Sequence, residues 1–146
     1  MTTIPTLING GEHVDQRGSI KFFNDFDMRE VKRFYCIQNK DTSVVRAWRG
    51  HKIEQRWFTV IEGEFLIRFV KIDDWAAPSK DLHLGEFTLS ANHNQVLHMP
   101  AGYATWIEAK KEHSSLMVFA DHDIDHAPLD DYVYPVSYFT ESKVSQ

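Results

Sequence analysis

A chain of 146 residues with 42% hydrophobic and 13% aromatic content is large enough for one compact unit with a real apolar core. Its formal charge of −5, from 16 basic and 21 acidic side chains, argues against nucleic acid as the partner, because phosphate backbones are held by concentrated basic faces. The single cysteine, Cys36, precludes an intrachain disulfide, and no stretch approaches the roughly 18–20 consecutive apolar residues of a membrane span. From the N-terminus, the segment MTTIPTLING lacks the basic start and apolar run of a secretory signal, so a cytoplasmic location is expected. Residues 31–37 (VKRFYCI) and 43–48 (SVVRAW) are rich in strand formers and flank the turn Asn39-Lys40-Asp41. Residues 56–62 and 64–72 form a hairpin about Gly63, where glycine supplies the positive φ of a tight turn. A short helical turn is predicted at 74–77, and strands at 86–90, 95–99, 103–108 and 115–120. Many short, closely spaced strands with no repeat or linker predict a single all-β sandwich or barrel.

The most informative stretch is RAWRGHKIEQRWFTVIEG, from Arg46 to Gly63. It resembles the first signature of a cupin β-barrel with most of its metal ligands exchanged. Counted back from Gly63, the ligand slots fall on Arg49, His51 and Arg56, and the second signature, Pro100-Ala101-Gly102, puts the remaining slot on Thr105. Guanidinium groups have no lone pair to give a metal, so only His51 is a possible ligand and no metal is expected.

Together with Asp15-Gln16-Arg17-Gly18 and Pro100-Ala101-Gly102-Tyr103, this stretch makes the chain similar to the cupin-fold dTDP-sugar isomerases. These are the dTDP-4-dehydrorhamnose 3,5-epimerases and the dTDP-sugar 3,4-ketoisomerases. The resemblance implies a cupin jelly-roll β-barrel over about 15–131, with a C-terminal tail at 132–146, in one domain. It also implies a homodimer, a sugar nucleotide as substrate and no cofactor. The implied reaction is epimerisation or ketoisomerisation of a 4-keto-6-deoxy sugar, begun by removing a proton beside the keto group. Arg17 and Arg46 match arginines that hold the nucleotide and clamp the diphosphate. Arg49 stands where the family's catalytic His belongs, so the alternative is a non-catalytic sugar-nucleotide-binding cupin.

Proton abstraction requires a base near neutral pH and a cation where enolate charge develops. His51 is the available base, and the arginines around it favour its neutral form. Arg49 and His51 have the same parity, which points both to one face of a strand. Arg56 is the candidate for the enolate oxygen, or else a surface arginine paired with Glu54 or Glu62. Arg46 and Arg49 are candidate substrate-binding cations, and Arg17 is either another or the cap of its own turn. Tyr103 and His122 are candidate general acids. The alternative for Tyr103 is ordinary core filling. For the run from Asp121 to His126 the alternatives are a solvated loop or a weak metal cluster.

Overall fold

The computed structural model describes residues 3–139 and 141–144. The strands are β1 (Thr6–Asn9), β2 (Gly11–Asp15), β3 (Gly18–Phe22), β4 (Arg33–Gln38), β5 (Val45–His51) and β6 (Arg56–Glu62). They continue with β7 (Glu64–Lys71), β8 (Leu84–Ser90), β9 (Gln95–Met99), β10 (Tyr103–Ala109), β11 (Ser115–Ala120) and β12 (Tyr132–Val133). One 3₁₀ turn, Ala127–Asp130, precedes β12. The expected all-β architecture is present. The helical turn expected at 74–77 is not: those residues form an irregular loop in which the Asp73 carboxylate accepts from the backbone N–H groups of Asp74 and Ser79. A short acidic side chain that bonds nearby backbone competes with helix formation in this way. Among the described residues no helix is long and apolar enough to cross a membrane.

Two antiparallel five-stranded sheets carry the fold, in the orders β1-β9-β6-β11-β4 and β12-β5-β10-β7-β8, with β2 and β3 as a separate hairpin. Alternation along the strands sends Phe58, Leu97, Leu116 and Val118 from the first sheet against Phe65, Ile67, Leu89 and Ile107 from the second. Each such side chain contributes about 1.5–3 kcal/mol on full burial. The β6–β7 turn is made at Gly63, whose φ of +77° is the one expected for that hairpin.

Outside the second sheet lies another apolar layer. Trp48, Tyr134 and Phe139 are buried there, with Trp75, Trp106 and Tyr138 packed against them. Just after β12 the chain still runs alongside β5, where Trp48 and Tyr134 exchange two backbone hydrogen bonds, and Trp48 Nε1 donates to the Val136 carbonyl. Gly50 permits this packing, because a Cβ there would come within 2.7 Å of the Trp75 ring. The outer face of β5 is thereby fixed, which holds its inner face in place for the site.

Candidate active site

The described pairings leave β4 at the edge of one sheet, and β5 one strand from the edge of the other, next to the two-residue β12. Between them the interior is not filled. A hollow of about 560 Å³ is lined by Tyr35 and Ile37 of β4, Arg46 and Arg49 of β5, Arg56 of β6 and Thr105 of β10, among others. Its volume is within the usual range for small-molecule sites. Among the described residues three guanidiniums line it and no carboxylate does. A second hollow of about 700 Å³ shares Tyr35, Arg49 and Arg56 with the first and adds His51, Arg33 and Asp131.

Strand parity explains part of this grouping. Arg49 and His51 lie opposite Thr105 and Tyr103, and both line the second hollow, as their spacing predicts. Arg46 has the wrong parity for that face in a regular strand. Between Thr105 and Ile107 the register slips, so that two steps on β10 span three on β5, from Arg49 to Arg46. A bulge of this kind reverses the facing and brings Arg46 to the same hollow as Arg49.

Arg56 is 5% exposed and makes no ion pair among the described residues. Its Nη2 donates to Thr105 Oγ1 at 3.1 Å, and the guanidinium lies 5.2 Å from the centre of the Phe58 ring. The surface pairing with Glu54 or Glu62 is thus not what forms. A buried cation without a counter-ion is costly, and a bound anion would relieve that cost. Arg46 Nε donates to Asn39 Oδ1, a neutral partner, at 2.7 Å. Arg49 Nε lies 3.1 Å from Asp131 Oδ1, an exposed pair that a ligand anion can displace.

His51 is mostly buried. Its Nδ1 lies 2.8 Å from the Asp130 carbonyl oxygen, which can only accept, so Nδ1 carries the proton. Nε2 is buried without a hydrogen-bond partner. Burial, then the Arg56 and Arg49 charges, pull the imidazole pKa down to about 3, against the opposing pull of Asp130. The ring is therefore neutral at any ordinary pH. Glu54, also buried, has Oε2 3.9 Å from His51 Nδ1 and Oε1 3.4 Å from Arg33 Nη2. Burial pushes its carboxyl up, with Arg33 and Arg56 opposing.

The remaining predicted site residues stand apart from this group. Tyr103 lines neither hollow: it packs in the main core, edge-on to Phe69, and its hydroxyl donates to the Thr3 carbonyl. Burial raises its pKa. His122 also lines neither hollow. Its Nδ1 is 2.7 Å from Asp121 Oδ1 and its ring stacks on His126. Asp121 in turn accepts from the backbone N–H of Gln55, so this run ties the β5–β6 loop to the end of β11. Among the described residues no group of three or more His, Cys, Asp or Glu side chains is placed to hold a metal ion. Arg17 is at the tip of the β2–β3 hairpin, paired with Asp15 at 2.7 Å, and contributes to neither hollow within one chain.

Sequence reasoning missed Tyr35, Glu54, Asp130 and Asp131. Tyr35 had a signal, since Arg33, Tyr35 and Ile37 alternate along β4 and share one face. The two aspartates had none: Asp130 lies 79 residues from the histidine it bonds, and Asp131 is as remote in sequence from Arg49.

No family model matches the sequence, and no curated protein matches it. Solved structures do match. A dTDP-4-dehydrorhamnose 3,5-epimerase from Sulfolobus tokodaii superposes with a TM-score of 0.75 at 18% identity, covering 100% of this chain and 88% of that one. A sugar 3,4-ketoisomerase from Thermoanaerobacterium thermosaccharolyticum, in complex with TDP, gives 0.70 at 20% identity, over 97% and 96% of the two chains. A TDP-quinovose 3,4-ketoisomerase from Campylobacter jejuni gives 0.70 at 17%, over 95% and 99%. The fold is the cupin jelly roll of these enzymes. At such identities the likeness concerns the backbone, and what the site does rests on its own side chains.

Proposed function

We propose that the chain binds a dTDP-linked 4-keto-6-deoxy sugar and isomerises it by proton transfer next to the keto group, without a metal. The observation that carries this reading is the arginine-lined hollow beside a neutral histidine. Arg46 and Arg49 suit a diphosphate, because their planar forks donate to phosphate oxygens in pairs. Arg56, buried and without a counter-ion, is placed to stabilise oxygen charge as the enolate forms. His51 Nε2 holds the free lone pair that accepts the proton. An imidazole whose conjugate acid has a pKa of about 3 is a weak base; burial is the first cause, and the diphosphate offsets the arginine charge that adds to it. Tyr35 lines both hollows and is our candidate to return a proton. This leaves Tyr103 and His122 with packing and loop-tying roles.

The protein acts, in this reading, as a cytoplasmic homodimer. Arg17, which lines neither hollow of its own chain, then serves the ligand of a neighbouring copy. The test is incubation with dTDP-4-keto-6-deoxyglucose in heavy water, following carbon-bound hydrogen by NMR. Exchange at carbon 3 or 5 well above the uncatalysed rate is expected, and its absence overturns catalysis.

A second reading, a binding cupin that has lost its base, is favoured by one observation. Nε2 is sealed from solvent as well as weakly basic. Thermal stabilisation by dTDP with no exchange at any carbon would select it.

A further inference from the structure

Among the described residues Asp130 is the most deeply buried carboxylate, at 1% exposure against 3% for Glu54. Its Oδ1 accepts from the backbone N–H of Lys52 at 2.7 Å, and its Oδ2 accepts from those of Ile53 at 3.0 Å and Glu54 at 2.8 Å. These three N–H groups belong to the loop between β5 and β6, directly after His51. A carboxylate held by successive backbone donators of this kind fixes the loop that surrounds it. The same residue's carbonyl accepts from His51 Nδ1. One aspartate therefore grips the chain leaving His51 with its side chain and the imidazole itself with its backbone.

The consequence concerns the tautomer. Neutral imidazole carries its proton on either nitrogen, and only the Nδ1–H form leaves a lone pair at Nε2. The Asp130 carbonyl selects that form, and the carboxylate keeps the carbonyl and the ring at bonding distance. Asp131, next in the chain, holds Arg49 at 3.1 Å, so the same two-residue segment sets both the histidine and an arginine of the hollow. The segment is itself tethered, since β12 follows immediately and pairs Tyr132 with Gly50 and Val133 with Arg49.

We propose that Asp130 is the positioning residue of the site: it fixes His51 as the Nδ1–H tautomer and thereby keeps Nε2 available as the proton acceptor. Its catalytic consequence rests on the isomerase reading above, but the tautomer itself does not. The experiment is therefore read in two ways. Nitrogen-15 NMR of the His51 ring in the unaltered protein should show a protonated Nδ1 and an unprotonated Nε2 across pH 5 to 8. In Asp130→Asn, which keeps a similar shape but cannot accept all three N–H groups, the two nitrogens should move toward the averaged shifts of mixed tautomers. Heavy-water exchange by that variant should lose roughly ten- to hundred-fold in kcat, the usual weight of a partner that orients a histidine, with KM changed less than threefold. An Nε2–H tautomer in the unaltered protein overturns the proposal even if the variant does not fold. So does a folded Asp130→Asn whose ring shifts match those of the unaltered protein. If no exchange is seen in either protein while the ring shifts behave as stated, the positioning role stands and the isomerase reading falls.

Discussion

His51 sits among charges of both signs, and the balance between them is measurable. The groups facing it are Arg56 and Arg49, the Asp130 backbone and carboxylate, and Glu54. In the fold the ring takes a proton only near pH 3, whereas in the unfolded chain it does so near 6.5. Between those values the unfolded state binds more protons, so the folded state loses stability as pH falls from 6.5 toward 3. From pH 7 to pH 5 this one residue should remove about 2 kcal/mol. Glu54 contributes with the opposite sign, because burial raises its pKa above the unfolded value. The comparison that isolates the histidine is therefore urea unfolding at pH 7 and pH 5 for the unaltered protein and for His51→Gln. The expected result is an acid-side loss that shrinks by about 2 kcal/mol in the variant. Equal losses in the two proteins would mean that His51 is exposed or charged.

Among the elements, the β2–β3 hairpin is the one with unfinished business. It forms a two-stranded sheet of its own, and Val14, Ile20 and Phe22 are exposed on it at 65%, 62% and 41%. A lone hairpin with apolar side chains in water is marginal, and a second copy laid against it would remove that exposure. Sedimentation should give a mass twice the 17.0 kDa of the chain, and Ile20→Lys should return it to the monomer. A monomer at micromolar concentration in the unaltered protein would contradict the dimer. The central strands, β4 to β11, were legible because β-branched and aromatic residues cluster between turn formers, with Gly63 marking the sharpest turn. Strands β1 to β3 and β12 were not anticipated. They are short and mostly half-exposed or exposed, so they carry little of the apolar alternation that reveals a strand. The loop at 74–77 read as helical from composition alone and was decided by the bonding of Asp73.

At the scale of the whole molecule, the site exists because two sheets meet without filling the seam between β4 and β5. The arginines and His51 were readable from spacing, since β5 and the next strand along the chain, β6, carry them, one in each sheet. The β5 bulge brings Arg46 to the hollow that Arg49 and Arg56 line, and the orientation of His51 in the adjoining hollow depends on Asp130, which sequence distance conceals. The cost of the arrangement falls on Arg56, a buried cation whose hydrogen-bonding side-chain partner is the hydroxyl of Thr105. Replacing it by Met should leave the unliganded protein as stable or up to about 2 kcal/mol more stable, because the uncompensated charge is removed and the volume kept. The same change should weaken ligand binding. The most direct measurement is calorimetric titration of dTDP into the unaltered protein and into Arg56→Met. Predicted is saturable binding that weakens with salt in the first, and at least tenfold weaker binding in a variant that melts no earlier. Absence of binding at millimolar dTDP, or equal affinity in the two proteins, would contradict an anion site in the hollow.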